Sequence, residues 1–131
     1  MKNETKSWID YADENLKSAE VLLQNGLFNA CLQNIQQAAE KHLKSLLIER
    51  GTGLIKSHNI RQLINALAEH HMTITMSEDE IDLLDSVYLP SKYPLMSVLP
   101  KYLPDKKLCE KCMAIAFQIK SSVLDLLKIK R

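Results

Sequence analysis

Residues 31–50 read CLQNIQQAAEKHLKSLLIER, and this stretch decides the fold. Gln33, Gln37, Glu40 and Lys44 recur in it at i, i+4, i+7 and i+11. On a helix of about 3.6 residues per turn they line up as one polar stripe. Phe28, Leu32, Ile35, Ala39, Leu43 and Leu46 fill the rest of the circumference. A helix that is apolar nearly all round and keeps one narrow polar line belongs at the centre of a bundle. That line should face a cleft or a partner.

Working outward, glycine and proline fall where helices should end. The segment 5–23 reads as a first helix, with Trp8, Ala12, Leu16, Ala19 and Leu23 inward and Asp13, Glu14, Lys17 and Glu20 outward. Asn25-Gly26 supplies its left-handed C-cap, and the short connection makes it an antiparallel neighbour of the helix over 28–49. Gly51-Thr52-Gly53 stops that second helix. Ser57 reads as the N-cap of a third, whose Ile60, Leu63, Ile64 and Leu67 repeat at i, i+3, i+4 and i+7 as far as His70-His71. Ser77 and Glu80 form a capping box for a short fourth helix through Ile81, Leu84 and Val87.

Prolines at 90, 94, 100 and 104 exclude regular helix from the segment 89–104. Loops of that length are often functional, and this one is rich in Tyr and Lys. Asp105 caps the last helix, with Leu108, Cys112, Ile115, Ile119, Val123 and Leu126 inward. Lys128-Ile129-Lys130-Arg131 complements its negative end. Met72-Thr73-Ile74-Thr75-Met76 looks strand-like, but it is isolated between caps and reads as an extended linker. The expectation is an all-α fold: an up-and-down four-helix bundle with an extra short helix, five in all, and a Pro-rich loop before the last. A single domain over 1–131 is expected.

The chain has 131 residues, 46% of them hydrophobic, enough for one core. Charged residues make up 25% and nearly cancel to +1, which argues against strong nonspecific nucleic-acid binding while leaving room for a local basic patch. There is no apolar run of about 18 residues and no N-terminal signal pattern, so no membrane span is expected and the default location is cytoplasmic. Three cysteines, an odd number, fit reduced thiols. Cys31 reads as core. Cys109-x-x-Cys112 lacks a second pair and sits beside Leu108, Ile115 and Ile119, so it reads as packing, and nothing brings His70-His71 to it as a zinc site. No metal or cofactor is expected.

Four pieces stand in order along the chain. They are Asp13-Glu14-Asn15-Leu16 with Ala19 and Leu22-Leu23; Gln36-Gln37-Ala38-Ala39-Glu40-Lys41 with Leu43-Lys44; Ser57-His58-Asn59 with Leu63; and Lys92-Tyr93-Pro94. Each alone is what any helix or turn prefers, but the ordered set resembles the HEPN family, small helical domains of higher eukaryotes and prokaryotes associated with nucleotide binding. Many such domains are metal-independent ribonucleases with an Arg-x4–6-His motif in or near the last helices of a dimer. There His transfers protons at a 2′-hydroxyl and Arg steadies phosphate charge. This chain departs from that motif. Its last histidine is His71, seven residues separate Arg50 from His58, and eight separate Arg61 from His70. The resemblance therefore implies a non-catalytic branch: a nucleotide-binding or partner-binding module, a homodimer, acting with a separately encoded nucleotidyltransferase as in toxin–antitoxin pairs. The alternatives are a degenerate ribonuclease and a purely structural helical interaction protein.

Within that reading, Lys92 and Tyr93 present a cation and a ring in a proline-braced turn, fit to hold a phosphate and stack on a base. The alternative is that Tyr93-Pro94 packs the loop onto the bundle and Lys92 is solvated. His58 is expected in the first turn of the third helix, beside free amides where an anion is favoured, or as a neutral histidine bonded to a neighbouring helix. Arg61 joins Lys92 in neutralising phosphate. Gln37, Glu40, Lys41 and Lys44 line the cleft facing His58 and Lys92, or else form a solvated face whose i, i+4 ion pair contributes about 0.2–0.5 kcal/mol. His42, opposite the stripe, reads as a buried, hydrogen-bonded structural histidine.

Overall fold

The apolar repeats of the first two segments close on each other as α1 (Asn3–Gln24) and α2 (Phe28–Arg50). Three helices follow: α3 (Ile60–Glu69), α4 (Glu78–Lys92) and α5 (Lys106–Leu126). The computed structural model describes residues 1–53, 55–92 and 104–128, without the side chains of 88–92. It contains helices and no strands among the described residues, the all-α arrangement that the sequence predicts. Residues 72–76 run without regular structure, but Met72 and Ile74 are buried in the core, so the linker is pinned by its apolar side chains.

The connection of α1 to α2 follows from its turn chemistry. Gly26 takes φ 71°, and the amide of Leu27 reaches back to the Leu22 carbonyl at 2.9 Å, closing the helix end as a Schellman motif. The chain reverses there, so the start of α1 meets the end of α2. Glu49 Oε1 accepts from the Lys2 amide at 3.0 Å and from the Thr5 hydroxyl at 2.8 Å. A carboxylate of α2 thereby caps α1, which has no side-chain cap of its own.

That contact explains one departure from expectation. The buried stripe of α1 is Thr5, Ile9, Ala12, Leu16 and Ala19, whereas Trp8 and Leu23 are only half-buried. Thr5 can be buried because its hydroxyl is satisfied, and the resulting spacing keeps the seam on α2.

α2 touches all four other helices and is the central rod. Gly51, at φ 71°, ends it in the left-handed conformation. Two of the three other expected caps form: the Ser77–Glu80 box, with Glu80 N to Ser77 Oγ at 3.1 Å and Ser77 N to Glu80 Oε1 at 2.9 Å, and Asp105 Oδ1 accepting from Leu108 N at 2.8 Å.

Two further expectations need correction. Helix α4 does not stop near Val87 but continues through Pro90 to Lys92. A proline in the final turn forfeits one backbone hydrogen bond without breaking the turns before it, so the exclusion drawn from Pro90 was too strong. Leu126 is 37% exposed, while Met113, Ala116 and Leu124 complete the buried face of α5. The rest of the loop, 93–103, lies outside the described residues.

Candidate functional site

Between α2 and α3 the chain is held by short-range polar contacts. Ser57 Oγ accepts from the Asn59 amide at 3.1 Å, and Asn59 Oδ1 accepts from the Gln62 amide at 2.9 Å. Asn59, rather than Ser57, is therefore the N-cap of α3, and His58 stands just ahead of the helix instead of in its first turn. The amides at that turn are taken. Asp85 of α4 accepts from Ile60 N at 2.7 Å with Oδ1 and from Arg61 N at 3.1 Å with Oδ2. The helix terminus that favours an anion thus holds a carboxylate of the same chain. Half-burial raises the Asp85 carboxyl above its ordinary value of 3.8, and the two amide donors pull it back down.

His58 is gripped from α2 by two residues one turn apart. Gln36 Nε2 donates to the His58 carbonyl at 3.0 Å, and Glu40 Oε1 accepts from His58 Nδ1. A carboxylate oxygen accepts, so it is Nδ1 that donates in this contact. The histidine side chain is 55% exposed, whereas that of Glu40 is 5% exposed. Lys44 Nζ lies 3.7 Å from Glu40 Oε2, also nearly buried. The polar line on α2 is therefore not a solvated face. Its members Glu40 and Lys44 are buried and Gln33 and Gln37 half-buried, while Gln36, beside the line and one turn before Glu40, is buried with no hydrogen-bond partner for Oε1. Burying a carboxylate and an ammonium costs several kcal/mol unless their pairing is good.

The other sequence candidates are dispersed. Arg61 turns its guanidinium to α4, bonding Glu78 Oε2 and Asp82 Oδ1, and these two carboxylates raise its already high pKa. Lys41 leaves the stripe for α1, donating to Asn15 Oδ1 at 2.7 Å and lying 5.9 Å from the centre of the Tyr11 ring. Gln37 is half-buried. Lys92 is the last residue of α4, and its side chain and Tyr93 lie outside the described residues. The structure thus brings together His58, Glu40 and Lys44, with Arg61 in the adjoining turn and Lys41 elsewhere.

Two members of the cluster escaped sequence reasoning. Gln36 is part of the Gln36–Lys41 run, and its spacing of four from Glu40 was the signal for a shared face. Asp85 carried no local signal, because its partners are 24 and 25 residues away in the chain.

A second buried polar group lies apart. His42 is fully buried, with Nε2 3.4 Å from Asp13 Oδ1, and Asp13 pairs with Lys120 Nζ of α5 at 2.8 Å. His42 is buried as expected, and its ring faces Asp13 and the Ala38 backbone without a hydrogen bond of good geometry. Burial pushes its pKa from 6.5 down to about 4 despite the pull of Asp13. Cys31, Cys109 and Cys112 are free thiols with no exposed surface, and burial pushes the last two up to about 12. Among the described residues no three His, Cys, Asp or Glu side chains converge as metal ligands, and no helix is long and apolar enough to cross a membrane.

Against known proteins, the family model for the HEPN domain matches residues 5–126. TT1696 from Thermus thermophilus is 27% identical and superposes with a TM-score of 0.79 over 95% of this chain and 98% of its own. An archaeal HEPN homologue is 25% identical, with a TM-score of 0.71 over 97% and 99% of the two chains. A HEPN domain protein from Thermotoga maritima, 21% identical, shares the fold with a TM-score of 0.70 over 93% and 98%. No curated protein matches the chain significantly.

Proposed function

This chain belongs to the HEPN family, and from that premise we propose that it is a nucleotide-binding module whose ligand sits against His58. One observation carries the reading. His58, whose side chain is 55% exposed, is held by a buried carboxylate on its ring and by a buried amide on its backbone carbonyl. An ordinary surface histidine has no need of such support, whereas a binding group profits from it, because the ordering cost is met before the ligand arrives. Lys44 Nζ lies 3.7 Å from the other oxygen of Glu40, and Gln37 flanks the same helix face.

Lys92 supplies the phosphate contact and Tyr93 the stacking surface in this proposal. Arg61 contributes less than the sequence reading gave it, because a ligand phosphate would have to displace Glu78 and Asp82 from its guanidinium. Lys41 is left out, since it is engaged with α1. The module acts as a homodimer beside a separately encoded nucleotidyltransferase. Calorimetry with MgATP tests the ligand. His58→Ala should abolish measurable binding, and Lys92→Ala should weaken it roughly tenfold, the loss of one charge-assisted contact. No heat with wild-type protein at millimolar nucleotide rejects the reading.

A second reading rests on the same contact. A histidine whose tautomer is set by a carboxylate is also the arrangement of a general base. RNA cleavage in the presence of chelator, lost in His58→Ala, would replace binding by catalysis.

A further inference from the structure

We infer that Asp85 is a positioning residue for His58, acting from α4 through the backbone of the first turn of α3. The inference rests on the ligand reading just given and names a residue that reading does not use. Helix α3 has a cap of its own, since Asn59 Oδ1 already accepts from the Gln62 amide. Asp85 is not needed to start the helix. What it adds is location. Its two oxygens take the adjoining amides of Ile60 and Arg61 at 2.7 and 3.1 Å, fastening that turn to α4.

His58 lies two residues ahead of Ile60. Its carbonyl is fixed by Gln36 and its ring by Glu40, both from α2. The short backbone span between the two anchors has little freedom, so where Asp85 holds Ile60 decides whether the ring reaches Glu40. The Arg61 guanidinium grips the same helix through Glu78 and Asp82, adding a second fastening of the turn to α4. Helix α4 ends at Lys92, so the helix that positions His58 also carries the proposed phosphate contact.

The test uses the full chain. Asp85→Asn keeps size and shape but offers one acceptor and one donor, so one of the two amides loses its partner. The proton on His58 Nδ1 is read from ring nitrogen resonances by NMR, and MgATP affinity is read by calorimetry. Val123→Ala, in the buried face of α5, whose backbone stays apart from that of α3, controls for simple loss of stability.

The expected result is that Asp85→Asn lowers the population of the Nδ1-protonated tautomer of His58 and weakens MgATP roughly fivefold, a modest coupling between sites. Val123→Ala should change neither. Asp85→Glu, which retains both acceptor oxygens, should restore most of the tautomer. If Asp85→Asn folds too weakly to titrate, the ring resonances are read in a stabilising osmolyte, with wild type and Val123→Ala in the same solution as references. The inference is overturned if Asp85 variants lower the melting temperature as Val123→Ala does and leave His58 and affinity unchanged, while wild-type binding stands. If wild-type protein binds no MgATP, the ligand reading falls, and the tautomer measurement alone decides the role of Asp85.

Discussion

Acidification should unfold this protein partly through a single histidine. His42 has no exposed surface, and burial holds its pKa at about 4 against 6.5 for an ordinary histidine. Between those values the unfolded chain binds a proton that the folded chain refuses, so stability rises with pH across this window and is lost as pH falls through it. The full gap is worth about 3 kcal/mol, and the interval from pH 7 to 4.5 captures the larger part of it, about 2 kcal/mol. Nearby, Asp13 draws the proton in and Lys120 repels it. Titrating carboxylates also destabilise the fold in acid, so the measurement is a comparison. Urea unfolding followed by circular dichroism at pH 7 and 4.5, on wild type and His42→Leu, isolates the histidine. Wild type should lose about 2 kcal/mol more than the variant over that interval. An equal loss in the two proteins would refute the claim that His42 is folded in its neutral form at the expense of acid stability.

Asp105→Ala removes the side-chain cap of α5 and should lower unfolding stability by about 1 kcal/mol, and an unchanged urea midpoint would contradict that role. Cys109 and Cys112, pushed up to about 12 and fully buried, should not react with a thiol reagent at pH 8 until denaturant is added. Rapid reaction of native protein would show that the α2–α5 seam opens. Leu43→Ala empties a fully buried position on the central helix and should cost about 2–5 kcal/mol, read as a fall in melting temperature.

The fold was legible because its signals are local. The period of the apolar residues, the Ser77–Glu80 box, Asp105 and Gly51 each act within a few residues, and each forms as read. The errors came where a distant partner changed the meaning of a residue. Thr5 is buried because Glu49, 44 positions away, accepts its hydroxyl. Ser57 gave up the cap to Asn59, the next good capping residue in the same turn. The candidate site was half legible for the same reason. Glu40 and Lys44 declared themselves by spacing, and His58 by its motif, but nothing in the sequence says that Asp85 occupies the turn meant for an anion. Nor does the composition of Arg61 and Lys41 reveal that other helices hold their charges, since ion-pair choice is settled only by packing.

The central claim is that His58 is fixed in advance for a ligand. The most direct measurement follows the His58 ring and the Gln36 side-chain amide by NMR while MgATP is added to wild-type protein. The account predicts that both move together and saturate with one affinity. Resonances that stay in place at millimolar nucleotide, with the protein folded throughout, would contradict it.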